Sequence, residues 1–195
     1  MDILVVLENN GGSIHRMSLE AIVAAQKLAD EQSLSNAILA IGSDTSALAN
    51  AAANYNIGEV LTVEHNLLSG YNSDGFAAAV KQVIDQEQPN YVFFGHTYMV
   101  RDYVPKISAQ LQRPFLCDVT SLNTTAGLTF TKQAFNAKLA AELGVASEGT
   151  VLVSFQSAAF NADLISSGTA DIREVAVELN EGMIKTTAEE PFQEE

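Results

Sequence analysis

The chain has 195 residues and one cysteine, Cys117. No intrachain disulfide can form, and zinc sites built on several Cys ligands are excluded. Basic residues are also scarce: Lys and Arg number 10 against 24 Asp and Glu, a formal net charge of −14. So few cations cannot neutralise a phosphate backbone, which excludes nucleic acid as a ligand. The same balance opposes docking on anionic membranes. No apolar run approaches the ~20 residues of a membrane span. The first residues, MDILVVLE, carry no basic segment before their short apolar run and do not read as a signal peptide. A soluble, reduced, cytoplasmic protein is expected. Charged residues are only 17% and apolar residues 47%, which excludes disorder over most of the chain. Length predicts one domain that buries roughly 70% of its unfolded surface.

The charge is uneven. Eight acids and two bases, Arg173 and Lys185, fall within 171–195, so that stretch holds six of the fourteen excess negative charges. Five of the ten bases lie between Arg101 and Lys138. Residues 1–178 are expected to form the domain and 179–195 an acidic tail or linker, loose from Asn180 onward.

Short apolar runs at 3–7, 37–41, 60–63 and 91–94 read as strands buried on both faces. Helical spacing separates them. Ser18 is the expected cap of a helix through Gln32, with Leu19, Ile22 and Val23 on its core face. A second helix is expected over 45–55. A third, capped by Ser73 or Asp74, carries Phe76, Val80, Val83 and Ile84. After the fourth strand, Val104, Ile107 and Leu111 follow helical spacing, with Pro105 expected near that helix's start. This alternation predicts an α/β fold of three αβα layers around a mostly parallel, doubly wound sheet. The second half changes pattern. Runs at 115–122, 128–135, 139–143 and 150–155 are strand-like, and 124–127 reads as a hairpin connection. Antiparallel additions are therefore expected there, and 171–178 reads as a last strand.

Walker A, GxGxxG and GxSxG patterns are absent. Asn10, Gly11, Gly12 and Ser13 follow the first strand and read as a plain turn, with phosphate approach as the alternative. Gly95, His96 and Thr97 follow the fourth strand. If strands one and four are neighbours, Glu8, Asn10, Gly11, Gly12, Gly95, His96 and Thr97 share a crevice at a topological switch point. His15, His65 and His96 lack metal-ligand spacing, so no metal is expected. Cys117 reads as a core thiol rather than as a nucleophile paired with His96. Arg101 and Asp102 read as a local ion pair and cap, or as a partner-binding pair. The residues alone give an acidic α/β domain with one candidate crevice and no catalytic set.

Three stretches carry a resemblance. They are LVVLENNGGSIHRMSLEAIVAAQKLA (4–29), SALANAAANYNIGEVLTVE (46–64) and GHTYMVRDYVPKISAQLQRPFLCDVTSL (95–122). In order and spacing they resemble the N-terminal domain of the electron transfer flavoprotein α subunit, over roughly 1–177. Thr97, Arg101-Asp102, Pro105-Lys106, Ala109 and Asp118-Val119-Thr120 match the family's pattern in the third stretch. The looser FNAKLAAE and TVLVSFQSAAF follow.

The resemblance implies a scaffold and subunit-interface domain, not an enzyme, with an adenine nucleotide alpha hydrolase-like fold. It implies a β subunit as partner, with AMP on that subunit. It implies FAD on a separate domain, and electron flow from acyl-CoA or other dehydrogenases to a quinone-linked acceptor. Thr97, Arg101, Asp102, Pro105 and Lys106 would make the partner contacts. The chain departs from the pattern in four places. It has no Gly-Arg-Gly element, so FAD is not expected on this chain. Val100 stands where the family has glycine, Lys106 where arginine is usual, and Val153-Ser154-Phe155-Gln156 where arginine is usual after Thr-Val. The alternative is a stand-alone adenine-nucleotide-binding, universal-stress-like module. An enzyme of pyrophosphatase or amide-forming type lacks its SGGxDS-like phosphate loop here.

Overall fold

The computed structural model describes residues 1–146 and 148–186. The strands are β1 (Ile3–Val6), β2 (Asn36–Gly42), β3 (Glu59–Glu64), β4 (Tyr91–Gly95), β5 (Phe115–Asn123), β6 (Thr129–Ala134), β7 (Leu139–Gly144), β8 (Val151–Phe155) and β9 (Asp171–Glu174). They form one nine-stranded sheet in the order β9-β3-β2-β1-β4-β8-β5-β6-β7. Pairing is parallel from β9 through β5, and β6 and β7 add antiparallel. The expected fold class is borne out, antiparallel additions included. The last strand stops at Glu174, short of the expected 178, and forms the edge beside β3.

Helices α1 (Arg16–Gln32) and α2 (Ser46–Ala52) cover one face, and α3 (Ser73–Glu87) and α4 (Tyr98–Leu111) the other. Side chains on a strand alternate between faces. Ile3, Val5 and Leu7 thus join the first core while Leu4 and Val6 join the second. Both faces of the central strands are apolar because both are covered. Among the described residues, no helix is long and apolar enough to cross a membrane.

The helix starts differ from expectation, each for a local reason. His15 caps α1, its Nδ1 accepting the Met17 N–H at 3.2 Å. Ser18 lies one turn inside and is buried, its Oγ accepting the Glu8 N–H at 3.0 Å. Asn72, not Ser73 or Asp74, caps α3 through the Gly75 N–H at 2.7 Å. Helix α2 is shorter than expected, because its alanine run continues into a turn after Ala52. Thr97 caps α4 through the Val100 N–H, so Pro105 falls inside the helix rather than at its start. Lacking an N–H, Pro105 leaves the Arg101 carbonyl without its helical donor. Residues after β9 run along α3. Gln82 bonds the Glu178 backbone at both ends of its amide, and Gln86 donates to the Ala176 carbonyl. Lys185 N–H and the Thr186 hydroxyl both reach the Asp74 carboxylate, so the strap is held through Thr186. Residues 187–195 lie outside the described residues.

Candidate functional site

Strands β1 and β4 are neighbours, and the chain order reverses across them. A crevice opens at the carboxyl ends there, as at other switch points. Its volume is about 470 Å³. Glu8, His96 and Thr97 line it, together with His15, Met17, Tyr98, Met99, Arg101, Asp118, Gln156 and Ser157.

Only part of the expected crevice set meets there. Gly11 and Gly12, at φ +60° and +89°, form the two-residue turn of a small ribbon pairing Asn10 with Ser13. Positive φ at both positions is the demand of a tight hairpin. The turn is exposed, and Gly11 borders a different hollow with Asp44 and Tyr71. Gly95 is buried in β4, where an added Cβ would come within 2.5 Å of Met17 Cβ. That glycine lets the start of α1 press on the sheet and does not face a ligand.

The crevice side chains are tied in place. Thr97 Oγ1 donates to Glu8 Oε2, joining the ends of β1 and β4. His96 Nδ1 lies 2.8 Å from Ser154 Oγ, which also accepts the Asp118 N–H at 3.3 Å. Ser154 has 0% exposure, so the pair orients the imidazole and presents no nucleophile. Burial holds the His96 pKa below its ordinary value, against the pull of the Asp118 carboxylate and aided by Arg101 and Lys132. Asp118 sits at φ +62°, beside a register shift between β5 and β8. Glu20, buried in α1, accepts the Ala158 N–H and holds the loop after β8. Cys117 is half-buried rather than a core thiol, and it receives the Lys132 ammonium at 3.0 Å. Among the described residues, no group of three His, Cys, Asp or Glu is placed to hold a metal ion.

The expected interface residues divide by exposure. Thr97 is buried as a cap. Lys106 turns inward, its ammonium 2.9 Å from Asp74 Oδ1 and 2.6 Å from Ser73 Oγ. Together with the strap's donors it holds the Asp74 pKa at about 2. Arg101, Asp102 and Pro105 are exposed. Arg101 and Asp102 do not pair with each other. Arg101 lies over the Tyr98 ring, 5.4 Å from its centroid, and Asp102 accepts the Tyr71 hydroxyl at 2.7 Å. Tyr98 is 86% exposed and extends the same row on α4, a residue the sequence reading passed over. The loop after β8 was missed too, because strand order alone brings Gln156 and Ser157 to the crevice.

A family model described as the electron transfer flavoprotein domain matches residues 3–180. The chain belongs to that family. It is similar to the electron transfer flavoprotein subunit alpha of Bacillus subtilis, 31% identical over 137 residues, covering 70% of this chain and 42% of the relative. The subunit alpha of Clostridium acetobutylicum is 23% identical over 188 residues, 93% of this chain and 56% of the relative. The acryloyl-CoA reductase electron transfer subunit beta of Anaerotignum propionicum is 28% identical over 122 residues, 63% of this chain and 33% of the relative. The chain thus spans about half the length of the curated relatives it matches. The resemblance to the α-subunit N-terminal domain is borne out. The nucleotide-module alternative is not favoured.

Proposed function

We propose that this chain is the scaffold and subunit-docking unit of an electron transfer flavoprotein α-type protein. In this reading it catalyses nothing itself. It presents the exposed row Tyr98, Arg101, Asp102 and Pro105 to a β subunit, while FAD rides on a separate domain. The complete assembly carries electrons from acyl-CoA or other dehydrogenases to a quinone-linked acceptor, with AMP on the β subunit. The observation that carries the reading is the family match over 3–180.

The crevice supports placing FAD elsewhere. A flavin dinucleotide must lay its pyrophosphate against backbone amides at a helix start. The start of α4 opens on this crevice, but Glu8 and Asp118 stand beside Arg101 in its lining, and the Gly11-Gly12 turn lies at a different hollow. The purified chain is therefore expected to be colourless and to form a complex when mixed with an electron transfer flavoprotein β subunit. Stoichiometric FAD on the isolated chain, read from its visible absorbance, would contradict the proposal.

A further inference from the structure

Among the described residues the sheet ends at β7, which is paired on its inner side to β6 and has no strand on its outer side. Most of β7 is exposed. At the hairpin tip Phe135 is 77% exposed, and Leu139 at the start of β7 is 59% exposed. The devices that blunt a sheet edge are proline, repeated charge, bulges or a covering helix. The β7 sequence, LAAELG, has no proline and one charge, Glu142, with Lys138 just before it.

We propose that a second copy of this chain covers this edge, its β7 running antiparallel about a twofold axis at Ala140. Register selects the pairing. Outward N–H and C=O groups belong to alternate residues, so the axis of a self-pair must pass through a residue position. An axis at Ala140 sets Lys138 opposite Glu142 of the second copy, and by symmetry does so twice. It sets Leu139 opposite Ala141 and Ala140 opposite itself. Lys138 closes the hairpin turn just before β7, so in this register it extends the seam by one position and each Lys–Glu pair meets at its end. An axis at Ala141 would put Lys138 against Gly144 and Glu142 against Ala140. An axis at Leu139 would put Lys138 against Ala140. An axis at Glu142 would oppose two glutamates. Of these registers only the one at Ala140 satisfies both charges, and it sets Leu139 against Ala141. The proposal is independent of the docking role given to α4.

The test is the mass of the intact chain in solution at about 200 µM, in the range where micromolar self-association is visible. Wild type is expected as a dimer. Lys138→Glu and Glu142→Lys each put like charges across the seam and are expected to weaken the dimer ~10-fold or more. The double variant regains the wild-type mass, because the swap restores opposite charges. An equimolar mixture of the two single variants forms a heterodimer, since their edges are complementary. Both positions are exposed, and unchanged far-ultraviolet spectra separate loss of pairing from loss of fold. A wild type that stays monomeric overturns the proposal. So does a dimer that ignores both single changes, or an edge whose Lys138→Glu change abolishes a β-subunit complex while the chain alone is monomeric.

Discussion

Single residues set the geometry where β1 and β4 meet. Thr97 caps α4 and bonds Glu8 with the same hydroxyl. Thr97→Ala removes both and should cost about 1–2 kcal/mol, read from chemical denaturation, with Thr97→Ser regaining most of it. Gly95→Ala should cost about 1–3 kcal/mol, because its Cβ would meet Met17 backbone at 2.8 Å as well as the Met17 side chain. His96 gives a pH signature. Burial lowers its pKa, so the unfolded chain binds more protons and stability falls as pH drops below the ordinary 6.5. His96→Gln should flatten that part of the stability–pH curve; an unchanged slope would place the dependence on another group. The sequence pointed to His96 and Thr97 because they follow an apolar strand. It could not show Ser154 or Asp118 beside them, since that contact depends on β8 inserting between β4 and β5.

At the scale of elements, the expectations that held rested on periodicity, and those on helix starts failed because they rested on capping. Apolar runs and helical stripes placed nine strands and four helices. The start of α1 departs from the serine-cap expectation because a histidine side chain takes that role, freeing Ser18 to bond the Glu8 backbone. The start of α4 departs from expectation because Pro105 suggests a first turn, whereas the helix capped by Thr97 starts at Tyr98, seven residues earlier. Pro105→Ala should therefore stabilise the domain by about 1 kcal/mol or more by returning a donor to the Arg101 carbonyl. A fall in stability would show that proline's restriction of the unfolded chain dominates. The strap is the other lesson. Its acids suggested solvation, yet residues 176–186 bond α3 through Gln82, Gln86 and Asp74. Asp74 holds a pKa of about 2, so its contribution is whole above 3.8 and is lost as pH falls through about 2. Asp74→Asn combined with Gln82→Ala should open 175–186 to proteases that leave the wild-type strap intact at neutral pH.

The described residues form a sheet covered on both faces at its central strands, with two exposed features on different elements: the α4 row and the β7 edge. The net charge of −14, first read as excluding nucleic acid, also keeps copies apart unless specific pairs offset it. Arg101 stands on the α4 row and Lys138 at the β7 edge. The central claim is that the α4 row docks a β subunit. Its most direct measurement is a calorimetric titration of the chain with an electron transfer flavoprotein β subunit. The account predicts a one-to-one complex that Arg101→Glu weakens ~10-fold or more while the fold is kept. The absence of any complex, or a complex indifferent to Arg101→Glu, would contradict it.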